Sequence, residues 1–202
     1  MNTATRSAAA SVAHQPHAVW RPALGLALVT LLGFGFAYSV AATLLAGAAF
    51  PTQAGGSLLH EQGQVAGSLL VAQPFADARY FQPRPSAAKY DPMAAAGSNQ
   101  ARSNPDLVKR IDDTRAEVAA REGVDPRQVP LDLLTQSGSG LDPDISPDAA
   151  ALQVRRVAAA RGLAEARVAE VVQQHVQPRQ FGVLGAPRVN VLALNLALDR
   201  LP

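Results

Sequence analysis

The 202 residues include no cysteine, which excludes a disulfide framework and thiolate metal sites and leaves packing alone to hold a fold together. A basic stripe interleaved with aromatics is also missing, so no nucleic acid is expected as a partner. Residues 135–142 carry neither lysine nor arginine, although a Walker-type phosphate loop needs a cation there to reach the phosphate charge. Charge is absent again over residues 22–50, a run of 29 residues without one Asp, Glu, Lys or Arg.

That uncharged run reads PALGLALVTLLGFGFAYSVAATLLAGAAF. A helix rises about 1.5 Å per residue and the hydrocarbon core of a bilayer is about 30 Å thick, so about 20 apolar residues suffice to cross it. The run predicts a transmembrane helix, and its four glycines, at 25, 33, 35 and 47, allow close approach of neighbouring helices. A cleaved signal peptide is the alternative, with Ala46-Gly47-Ala48 as the small-residue triplet. The run is about twice as long as a signal h-region of about 7–15 residues, which favours a retained anchor.

Arg6 and Arg21 precede the run, whereas the twenty residues after Phe50 contain Glu61 and no Lys or Arg. The positive-inside rule therefore predicts a cytoplasmic arm at 1–21, a membrane span at 22–50 and a periplasmic domain at 51–202. Trp20 sits where an interfacial aromatic is expected. All 16 acidic residues and 16 of the 18 basic ones follow the span, so the exported part is close to neutral.

Within that part QVAGSLLVAQ, residues 64–73, alternates as a strand does. The proline-rich stretch 74–104 holds Phe75, Tyr80, Phe81 and Tyr90 and predicts an ordered loop, because aromatics need a surface to pack on. A helix is signalled from Ser103 or Asn104 as cap and Pro105 in the first turn to Gly123, with Leu107, Ile111 and Val118 on one face. A second runs from Ser146 as cap and Pro147 to Gly162, turning Ala150, Val154, Val157 and Ala158 inward. A third, about 164–176, aligns Val168, Val171, Val172 and His175, where His175 reads as a half-buried histidine with one hydrogen-bond partner. In FGVLGAPRVNVLALNLALDRLP the leucines fit strand and helix alike. The expectation is a short strand at 180–184, a turn at 185–188 and a helix capped by Asn190. The fold class is α+β: one N-terminal transmembrane helix and one small mixed α/β extracytoplasmic domain.

The Gly-, Ser- and Asp-rich stretch TQSGSGLDPDISPDAA, residues 135–150, has the composition of a site. Set as a calcium loop from Asp142, it places Pro147 where glycine is needed and Gln153 where glutamate is needed. As a nucleophile elbow it places Ser137 where glycine is needed before Ser139. The reading that survives is a tight turn leading into a capped helix.

Six blocks in this order, GSLLVAQPF (67–75), YFQPRPSA (80–87), GSNQARSNP (97–105), PLDLLTQSGSGLDPDISPDAA (130–150), QVRRVAAARG (153–162) and LGAPRVNVLALNLALD (184–199), resemble the C subunit of the potassium-transporting Kdp ATPase, KdpC. Gln100 to Arg102 depart from the Leu-Gly-Pro run that the family tends to have. The resemblance implies an accessory, non-catalytic subunit in the inner membrane, with a potassium-channel-like subunit and a P-type ATPase subunit as partners. ATP and potassium would be handled by those partners, and the family role would be to stabilise assembly or to raise the ATP affinity of the ATPase subunit. Direct ATP contact by Ser137, Ser139 or Asp142 conflicts with an external domain and is disfavoured. Three loops are expected to touch the channel-like subunit: Arg84, Pro85 and Ser86; Gly97, Ser98 and Asn99; and Ser137, Gly138, Ser139, Gly140 and Asp142. The competing class is a free-standing, membrane-anchored periplasmic solute-binding module.

Overall fold

The computed structural model describes residues 19–201; residues 1–18, most of the expected N-terminal arm, lie outside the described residues. The chain divides into two compact units, Met1–Ala54 and Gly55–Pro202.

In the first unit, helix α1 runs over Trp20–Ala49 and is the one helix among the described residues long and apolar enough to cross a membrane. Its side chains are exposed on every side, Leu31, Phe34 and Leu45 among them. A helix apolar all round needs either a protein core or lipid around it. The stretch Thr30–Tyr38, which holds Gly33 and Gly35, is π-helical, and the Ser39 hydroxyl donates to the Phe34 carbonyl at 3.3 Å across the same widened spacing. A helical turn at Pro51–Ala54 follows.

The second unit opens with a hairpin of β1, Leu58–Glu61, and β2, Gln64–Ser68. Gln62 and Gly63 both take positive φ between them, the backbone of a two-residue hairpin turn. The strand expected over 64–73 therefore ends at Ser68, where the chain turns and leaves the ladder. Next comes the long loop 69–104, and then α2, Pro105–Glu122, capped by Asn104 and closed by Gly123 in the left-handed region. Strand β3, Asp144–Ile145, leads into α3, Pro147–Arg161, capped by the Ser146 hydroxyl and closed by Gly162. Helix α4, Glu165–Gln174, β4, Val176–Gln177, β5, Arg188–Asn190, and α5, Val191–Asp199, complete the unit.

Strands β3, β5 and β4 form an antiparallel sheet in that order, pairing Ile145 with Val189 and Val176 with Val189. The strand expected at 180–184 does not form. Gln180 and Leu184 make one isolated bridge around a turn, and Arg188, expected in the turn, belongs to β5. The helix expected behind the Asn190 cap does form, as α5, where Leu192, Leu194 and Leu198 are buried.

The core packs Phe81, Leu133, Leu134, Ile145, Val157, Val168, Val172, Val189, Leu194 and Leu198 between the helices and the small sheet. His175 ends α4, half-buried, with Nδ1 2.8 Å from the Val171 carbonyl. The long loop is tied into this core by two side-chain amides standing in for a neighbouring strand. Asn195 accepts from the Phe81 N–H at 2.8 Å and donates to its carbonyl at 3.0 Å. Gln153 treats Gln82 the same way, at 2.8 and 3.2 Å. Arg156 adds bonds to the Ala78 and Tyr80 carbonyls while its Nε meets the fully buried Glu122 carboxylate at 2.9 Å. Buried backbone groups outside regular structure require such partners.

Candidate functional site

The three loops singled out in the sequence converge. Gly97 and Gly138 run so close that a Cβ on Gly97 would lie 2.8 Å from the Gly138 carbonyl oxygen. Gly140, at φ +71, would bring a Cβ within 2.8 Å of the Ala96 oxygen. Glycine is needed at both places, for close approach at the first and for approach and left-handed backbone at the second. The Ser86 hydroxyl donates to the Gly140 carbonyl at 2.6 Å and accepts from the Tyr90 N–H at 3.0 Å. Tyr90 in turn donates to the Arg84 carbonyl at 2.9 Å, and burial pushes its own hydroxyl pKa up.

Charge is arranged around the same junction. Arg84 reaches Asp142 at 2.8 Å, and Asp142 also accepts from the Asp144 N–H. Arg188 pairs with Asp144 at 3.0 Å. Burial is the main influence on the Asp144 carboxyl and raises its pKa, against the lowering effect of the Asn190 amide and Arg188. Asp132 accepts from both the N–H and the hydroxyl of Ser146, fixing the start of α3. These residues, with Ile145, Ala186 and Pro187, line an open cleft of about 310 Å³. Among the described residues no three His, Asp or Glu side chains are placed to hold a metal ion.

The serine-glycine stretch spends its polar groups internally. The Ser137 hydroxyl, buried, accepts from the Asp142 N–H at 3.4 Å, and Ser139 accepts from the Leu141 N–H at 3.1 Å. The Gly140 N–H goes to the Ser137 carbonyl. A phosphate cradle needs free amides pointing at the ligand; these three are occupied within the turn. In the second loop Ser98 and Gln100 both accept from Arg110, so a residue that departs from the family pattern has a partner of its own. Asn99 is exposed, at φ +50. Pro85 lines a separate pocket of about 200 Å³ with Tyr90, Glu117 and Arg121. Sequence reasoning missed Asp132, Asp144 and Arg188, because their partners lie 14, 46 and 44 positions away and no local pattern marks them.

The model of one protein family, described as "KdpC: K+-transporting ATPase, c chain", matches residues 20–200. The chain belongs to the KdpC family. It is 65% identical over 180 residues to the potassium-transporting ATPase KdpC subunit of Xanthomonas campestris pv. campestris (strain B100), covering 89% of this chain and 86% of that protein. It is 53% identical over 185 residues to the KdpC subunit of Sorangium cellulosum (strain So ce56), covering 89% and 96%. With the KdpC subunit of Shewanella putrefaciens (strain CN-32 / ATCC BAA-453) it shares 51% over 185 residues, 92% of each. For a KdpC chain, the junction of the three loops is a braced surface whose polar atoms mostly serve the fold. What it presents outward is backbone, Pro85, Asn99, Gly138, Ser139 and the paired charges of the cleft.

Proposed function

We propose that the chain is an accessory, non-catalytic subunit of a K+-transporting ATPase complex, anchored by α1 with its N-terminus in the cytoplasm and Gly55–Pro202 in the periplasm. The family match over residues 20–200 carries this reading. The partners are a potassium-channel-like subunit and a P-type ATPase subunit, and the converging loops at Arg84–Ser86, Gly97–Asn99 and Ser137–Asp142 contact the external face of the first. Rigid loops on a packed scaffold make contact surfaces, and these three are braced against one another. ATP and potassium stay with the partners, and any effect on ATP affinity is indirect, through coupling between subunits. The internal use of the Gly140, Leu141 and Asp142 amides favours that over direct nucleotide contact.

Isolation from membranes in mild detergent tests the proposal. Co-elution with the two partner subunits is the expected result; a lone monomer that binds a small solute in the cleft would replace it with the solute-binding reading.

A further inference from the structure

Residues 177–188 are all exposed, and the middle of the stretch is apolar: Phe181 is 85% exposed, Val183 71% and Leu184 56%. The segment is nevertheless a built hairpin. Gln180 and Leu184 exchange two backbone hydrogen bonds at 2.9 Å, and the Gly182 N–H donates to the Arg179 carbonyl at 3.0 Å. Phe181 is held at φ +52, between core elements that do not need it. A bulky side chain in the left-handed region carries backbone strain, and strain of this kind clusters at contact and functional sites.

Within the hairpin's own sequence the charge has one sign, although Arg188 is paired with Asp144 at 3.0 Å. No acidic residue occurs between Glu170 and Asp199, while Arg179 and Arg188 flank the apolar residues. The loop is also continuous with the candidate contact surface, since Ala186, Pro187 and Arg188 line the cleft shared with Arg84 and Asp142. Asp132, Asp142 and Asp144 stand in that cleft, so an anionic lipid surface approaching the loop would meet carboxylates. A protein partner can offer charges of both signs, with an apolar pocket between them.

We infer that the hairpin at 178–188 is a preformed docking finger whose Phe181, Val183 and Leu184 seat in an apolar socket rimmed by carboxylates on a partner subunit of the transporter. This rests on the accessory-subunit reading above and names the anchor of that contact. Few residues dominate most interfaces, and large apolar side chains entering a pocket are typical of them. Arg179 steers the approach and meets the carboxylate rim, while Arg188 stays paired with Asp144 at the edge of the cleft.

The test is co-purification of the full chain with its partners from co-expressing cells. The wild-type chain must co-elute; if it does not, the accessory-subunit reading fails and the finger is not at issue. Given co-elution, Phe181→Ser with Leu184→Ser is expected to lower complex yield at least about tenfold, with the melting temperature of the free full chain unchanged. Arg179→Glu is expected to lower yield more at low salt than at high salt. A photo-crosslinking side chain at position 181 reports independently of folding: a covalent adduct with a partner polypeptide supports the finger. Wild-type yield from the double variant, or adducts to lipid alone, would overturn it.

Discussion

At the scale of single residues, the unit Gly55–Pro202 depends on a few groups with no freedom to change. Gly140 joins left-handed backbone to a contact that excludes a Cβ. Gly140→Ala is therefore expected to cost at least about 1–2 kcal/mol, the penalty for left-handed backbone alone, as read by urea unfolding of the full chain in detergent; a change within measurement error would contradict the close approach. Glu122 is fully buried against Arg156. Because truncating one partner strands the other charge, Glu122→Ala should destabilise by about 3–5 kcal/mol in the same assay. Asp144 has a folded-state pKa raised above its ordinary 3.8, chiefly by burial. The folded state thus binds its proton more tightly than the unfolded state, and this group's contribution to stability declines as pH rises from 3.8 through the raised value. Asp144→Asn removes that decline, so the stability of the variant relative to wild type is expected to rise with pH across this window. A flat difference would show that Arg188 and Asn190 fully offset the burial.

Elements succeed or fail in the sequence according to how local their causes are. Helices α2 and α3 were legible to within a residue because cap, proline and left-handed glycine are all written in adjacent positions: Asn104, Pro105 and Gly123, then Ser146, Pro147 and Gly162. Ser146→Ala should cost about 1 kcal/mol through the lost cap, with a further loss because Asp132 gives up its hydroxyl partner, measurable by chemical unfolding. The strands were less legible. The pairs that define the small sheet are two or three residues long and join positions 144, 176 and 189, too short for alternation to show. The segment 180–184 alternates in composition but pairs with no second strand, so it remains an exposed turn. The four leucines after Asn190, at 192, 194, 196 and 198, fitted strand and helix alike until the core beneath α5 decided them.

For the whole molecule the question is which side of the membrane carries Gly55–Pro202. The absence of native cysteine makes a direct measurement available: Met93, 94% exposed, changed to cysteine should react with a membrane-impermeant maleimide from the periplasmic side without opening the inner membrane. Labelling only after the inner membrane is opened would reverse the orientation drawn from Arg6, Arg21 and Glu61.

By itself the sequence determined the apolar segment, the two helices α2 and α3 with both ends marked, and the family, because each is encoded in contiguous residues: an uncharged run, a cap with its glycine, an ordered series of motifs. Only the tertiary structure decided that Arg84, Gly97 and Gly140 meet, that Asn195 and Gln153 hold the loop at 81–82, and that Phe181 and Leu184 stand outside the core. Those outcomes depend on contacts between residues tens to more than a hundred positions apart, where the fit of backbone to backbone and the pairing of buried polar groups select among conformations that local propensity leaves equal.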